Sequence, residues 1–151
     1  MLDAQYPLRA AYYTLLNNKV VYKGVNVPFF DDYASITTNA PYLVINSIYE
    51  SNHPNKTHFG QDIRVVLEAV TEYPRTSKQG RKDSEMIMQL CTQILFPTVY
   101  ESGKVFDLGT NFQCVSAEKI QGTNLSETNE QTKVFRKIIT INHNIKQISN
   151  G

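Results

Sequence analysis

The sequence holds two cysteines, three histidines and no tryptophan. Cys91 and Cys114 are too few for a structural metal site. Each lies in an apolar pattern and reads as a small buried hydrophobe, and a disulfide between them is not indicated. Neither GxGxxG nor GxxxxGK[ST] occurs, so no phosphate-cradling loop is present in the sequence. GxSxG is missing too, and with it the nucleophile elbow of the serine hydrolases. No apolar run approaches the ~20 residues a membrane helix needs. The opening MLDAQYPLRAA lacks the basic start and apolar block of a secretory signal, so a soluble product made in a cytoplasm is expected. Charge is sparse as well. Charged residues make up 19%, below the ~25% usual for soluble domains. The net charge of +1 supplies no field for nucleic acid or an anionic membrane.

The residue types that carry chemistry are scattered. His53 and His58 flank one turn, and a metal there would need a third ligand, for which Asp62 is the nearest candidate. His143 falls in phase with the apolar face of a strand and reads as a satisfied, partly buried imidazole. Asp31 and Asp32 are adjacent, so they point apart and read as turn formers. Glu118 and Glu127 stand alone. No catalytic residue, cofactor or metal is expected.

What is abundant is pattern. Residues 41–70 read as a β-hairpin: a strand apolar on both faces, a polar turn NHPNKTHFG, and a second strand that alternates. In that second strand Ile63, Val65, Leu67 and Ala69 share one face, and Asp62, Arg64 and Glu68 the other, with Val66 out of step. The first strand, being doubly apolar, is expected to sit more centrally. Leu8, Ala11, Tyr12, Leu15 and Leu16 predict a helix over residues 3–18, stopped at Asn17-Asn18. Residues 20–25 read as a short strand and 26–40 as a mobile irregular loop. Ile87, Leu90, Cys91, Ile94 and Leu95 predict a second helix over 83–96, with Asp83 or Ser84 as its cap and Pro97 as its stop. Residues 112–120 and 134–145 read as strands of a terminal hairpin, with 121–132 as its mobile polar tip. Together these describe one α+β domain over residues 1–151. Its mainly antiparallel sheet has two hairpins plus a short strand, with two helices packed on one face.

Three stretches carry interaction candidates. Phe29, Phe30 and Tyr33 in the irregular loop either fold back as a lid on the core or fill a pocket on a neighbouring subunit. Arg75, Lys78, Arg81 and Lys82 put four positive charges in eight residues. They make either a solvated connector or a basic patch facing phosphates or an acidic partner. Asn124, Glu127 and Asn129 lie in the polar tip. A surface rich in Asn and Thr suits contact with another protein, since amides and hydroxyls cost less to desolvate than ions. Biased genome composition explains the same richness equally well. A small nucleic-acid-binding module is the alternative function, its basic residues 75–82 joined by Phe29 and Tyr33 stacking on bases.

The layout is a helix, a short strand, a loop, the strand start Pro41-Tyr42-Leu43-Val44, the alternating strand, a basic linker, a second helix and a terminal hairpin. Across residues 4–145 it resembles the tail-completion and tail-terminator proteins of tailed bacteriophages, small α+β subunits of the head-to-tail connection. The resemblance implies a structural, non-enzymatic subunit of a six-fold or twelve-fold ring in the neck or tail of a virion. Portal or adaptor and tail proteins would be its partners. The genome would pass through the lumen without specific binding, and no membrane is involved. Phe29, Phe30, Tyr33, Arg75, Lys78, Arg81, Lys82, Asn124, Glu127 and Asn129 would be subunit or partner contacts in such a ring. The loops at 26–40 and 121–132 would order on docking with neighbours.

Overall fold

The alternation along residues 63–69 becomes the spine of the sheet. Ile63, Val65, Leu67 and Ala69 are each fully buried, on the face that the helices cover. The computed structural model describes residues 2–51, 60–98 and 102–149. In chain order its elements are α1 (Gln5–Leu16), β1 (Val21–Tyr22), β2 (Val25–Asn26), β3 (Phe29–Phe30), β4 (Tyr42–Ser51), β5 (Gly60–Pro74), α2 (Lys82–Leu95), β6 (Phe112–Thr128) and β7 (Thr132–Gln147). A turn of 3-10 helix, Tyr33–Ser35, follows β3. The fold is α+β. Its main sheet has the order β3-β4-β5-β7-β6, antiparallel throughout except for β3, which runs parallel to β4.

Both helices lie on one side of this sheet. Leu8, Tyr12 and Leu16 of α1 and Ile87, Cys91 and Leu95 of α2 join Ile139, Ile141 and Ile145 of β7 in one cluster. Each fully buried Leu or Ile contributes about 1.5–3 kcal/mol, against about 0–1 for an exposed ion pair, so this layer dominates stability. α1 ends as its sequence predicts, with Asn18 in the left-handed region at φ 60°.

Four expectations need correction. Residues 20–25 form no single strand: Lys23 and Gly24 both take positive φ, 50° and 75°, and fold the segment into the separate β1–β2 hairpin. Two successive positive φ values are what a two-residue hairpin turn with the native twist requires. Within residues 26–40, Phe29 and Phe30 pair with Leu43 and Val44. The segment is thus an edge strand plus a helical turn lying against β4. β5, not β4, is the central strand of the five. Finally, 121–128 is strand rather than loop. Gln121 to Thr128 pair in register with Thr140 to Lys133. The turn is tight: Asn129 Oδ1 accepts hydrogen bonds from the backbone N–H of Gln131 and Thr132, at 2.9 and 2.7 Å.

Candidate functional site

The reactive side chains are inside. His143 is fully buried on the helix side of β7. Its Nδ1 lies 2.9 Å from the Ile63 carbonyl oxygen, which can only accept, so Nδ1 carries the proton. Nε2 then accepts from the Tyr12 hydroxyl at 2.7 Å. Phe106 closes the arrangement, its ring centroid 5.0 Å from both Tyr12 and His143. Burial pushes the imidazole down to about 4 and raises the Tyr12 phenol. Both ring nitrogens are occupied, so the imidazole is satisfied as its phase predicts, but it is fully rather than partly buried, and it pins α1 to the sheet. Burial likewise raises the Cys91 thiol and pushes Cys114 up to about 12, against thiolate formation at either.

On the same side, the start of α2 meets the β1–β2 hairpin. Asp83 does not cap its helix. It accepts hydrogen bonds from Tyr22, at 2.6 Å, and from Tyr73, and it pairs with Lys23 at 3.4 Å. The Tyr22 hydroxyl, then Tyr73, hold this carboxyl below its usual range. Desolvation, helped by the Asp83 bond, pushes Tyr73 up to about 12. A mostly apolar cavity of about 230 Å³ opens beside them, lined by Tyr22, Val25, Pro41, Thr71, Tyr73 and Ile87 among others.

The reverse face carries a second polar centre. Glu68 is 2% exposed. It accepts from the Tyr33 hydroxyl and from Asn46 Nδ2 at 3.0 Å, and Arg136 Nη1 lies 3.8 Å away. Arg136 also donates to the Tyr33 oxygen at 3.2 Å and pairs with Glu127 at 3.5 Å. This network holds residues 31–36 on the sheet, while Asp32 accepts from Ala34 N–H and Asp31 pairs with Arg9.

The sequence-predicted contacts are dispersed. Phe29 is buried, its ring centroid 6.1 Å from that of Tyr13. Phe30 packs edge-on against Tyr42, and Tyr33 is tied to Glu68. The mobile-loop origin of Asn124, Glu127 and Asn129 is corrected: Asn124 and Glu127 are β6 residues and Asn129 builds the turn. Arg81 and Lys82 open α2. Arg75 and Lys78 flank the tip of the long hairpin, because Arg75 N–H donates to the Gln131 carbonyl and Lys133 Nζ donates to the Ser77 carbonyl. His53 and His58 lie outside the described residues.

Sequence reasoning placed residues 112–120 in a strand of the terminal hairpin but missed that this strand is the edge of the sheet and runs on to Thr128. β6 has no strand beyond it among the described residues. Val115, Ile120 and Leu125 expose 54%, 39% and 49% of their surface along it. Val115 and Ile120 sit at bulges in the pairing, which no periodicity marks. No helix is long and apolar enough to cross a membrane among the described residues.

The chain superposes on a chain from the virion of a native gene transfer agent particle. The TM-score is 0.63 at 14% identity, covering 91% of this chain and 94% of that one, so the likeness is one of fold. No protein-family model matches the sequence, and no curated protein matches it.

Proposed function

We propose that this protein is a structural subunit of a phage-like virion, one copy of a closed ring at the head-to-tail connection. In that ring it acts as a connector or tail terminator around the genome channel and performs no catalysis. The observation that carries the reading is the fold shared, almost end to end, with a chain of a virion particle. The physical features support it. Ring contacts are heterologous, joining two different surfaces of neighbouring copies. β6 offers one: a 17-residue edge strand with unpaired backbone groups and exposed Val115, Ile120 and Leu125. Portal or adaptor and tail proteins are the partners above and below, in the virion neck or tail. The buried, doubly bonded His143 and the raised cysteine thiols fit a shape-keeping role.

Native mass spectrometry with negative-stain imaging tests the reading, on the protein alone and mixed with portal and tail-tube proteins. A six-fold or twelve-fold ring in either arm is expected. A monomer in both arms, with no partner bound, overturns it. The base-stacking alternative is weakened by Phe29, which is buried.

A further inference from the structure

The charges of the long hairpin sort by face. Register puts Lys119, Lys133 and Lys137 on the helix side, opposite Ile141, Tyr73 and Ala69 respectively. That face of β6 and β7 carries no acid between Ala117 and Ile139. Glu72, Glu118 and Glu127 fall on the reverse face, where Arg136 answers Glu127 and Glu68.

The lysines also converge. A Cβ placed on Gly122 would lie 3.4 Å from Nζ of Lys119 and 3.7 Å from Nζ of Lys137. Two ammonium groups thus sit astride a bare stretch of backbone. Neither has a carboxylate partner among the described residues. Like charges held this close repel in water and gain from an anion placed between them. The strip continues through Lys133 to the linker, which the Arg75–Gln131 and Lys133–Ser77 hydrogen bonds fasten beside the hairpin. Asp83, an acid on this side at the start of α2, is already occupied by Lys23 and two tyrosines. From Lys133 to Lys137 the strand rises about 13 Å, which matches about four base-pair steps along the axis of a duplex.

We propose that this strip, Lys119 and Lys137 astride Gly122 with Lys133, Arg75 and Lys78 beside them, faces the phosphate backbone of double-stranded DNA. It rests on the ring reading only for why a genome should be there. The contacts are few and carry no base recognition, so they hold a passing duplex loosely.

Fluorescence anisotropy of a labelled duplex with the full chain tests it. Weak binding is expected at 50 mM salt, falling roughly 40-fold by 200 mM, as three phosphate contacts require. Joint Lys119→Gln and Lys137→Gln substitution should lower the salt slope by about two. Gly122→Asp, which puts a carboxylate between the ammoniums, should weaken binding without lowering the melting temperature. Glu118→Gln on the reverse face should leave affinity intact or raise it. Absence of duplex binding at low salt, or an unchanged slope in the double variant, overturns the proposal. So does tighter binding of poly-glutamate at matched charge, which would assign the strip to an acidic protein. Rings without duplex binding sink this inference alone; duplex binding without rings sinks only the ring.

Discussion

His143 on one face of the sheet and Glu68 on the other are both buried polar side chains, and the two are satisfied in opposite ways. On the helix side His143 is neutral, held between a backbone carbonyl and a tyrosine hydroxyl inside an apolar layer. On the reverse side Glu68 gathers a tyrosine, an asparagine and an arginine, and through Tyr33 it draws residues 31–36 onto the sheet. The first face is stabilised by packing, with His143 as the polar pin inside the layer and Gln61 holding the start of α1 at its end. The second is stabilised by a polar network that recruits a distant segment. Changes on the helix side should therefore act globally, and changes on the reverse side locally.

The largest expected effect is in the packed layer. Leu67→Ala removes a fully buried side chain from the middle of β5. It should cost about 3 kcal/mol, read as a lower urea midpoint at unchanged slope. Val66→Ala, one residue away on the reverse face and half-buried, should cost about 1 kcal/mol. Equal costs would erase the distinction between the faces.

Acid should reach the helix side through its pin. His143 titrates at about 4 in the folded chain and ordinarily at 6.5. Between those values the unfolded chain takes the proton and the folded chain does not. Stability is then full above 6.5 and falls as pH drops towards 4, by a total on the order of 3 kcal/mol. Asp83, whose pKa is lowered, loses its contribution only below the ordinary carboxylate value, in a separate window. Denaturation against pH checks this, and His143→Gln, able to make both hydrogen bonds without titrating, should flatten the upper window.

On the reverse side, Glu68→Gln keeps the volume and an acceptor but gives up the charge facing Arg136. About 2 kcal/mol is expected, as for a buried charge-assisted hydrogen bond. Hydrogen exchange should quicken at residues 33–36 and stay slow in α1. Faster exchange in α1 as well would mean that the network supports the whole fold.

These differences explain how much of the molecule the sequence reveals. The helix side is legible because burial there follows the local period. The stripes Leu8–Tyr12–Leu16 and Ile87–Cys91–Leu95, the alternation of β5 and the phase of His143 all follow the expected pattern. The reverse side is not. Glu68 occupies a polar phase, and its partners Tyr33 and Arg136 lie far off in the chain, so only the folded sheet brings them together. The hairpin end is hidden for another reason. QGTNLSET has no apolar alternation, and its strand is specified by pairing with β7. The lysine pair astride Gly122 depends on that register, shifted by the bulges at Val115 and Ile120, and so it too appears only in the fold.

The smallest effect tests where the reverse network ends. Glu127 pairs with Arg136 at 3.5 Å, but its side chain is 66% exposed while that of Glu68 is 3%. An exposed pair gains little over hydration and is screened by salt, so Glu127→Gln should cost less than about 0.5 kcal/mol and nothing at high salt. Combined with Glu68→Gln, it should show weak coupling in a double-mutant cycle, since Arg136 then answers neither group strongly. A cost above about 1 kcal/mol would make Glu127 part of the buried centre. Residues 31–36 would then depend on the tip of the hairpin, and a partner docking on β6 could loosen them from a distance.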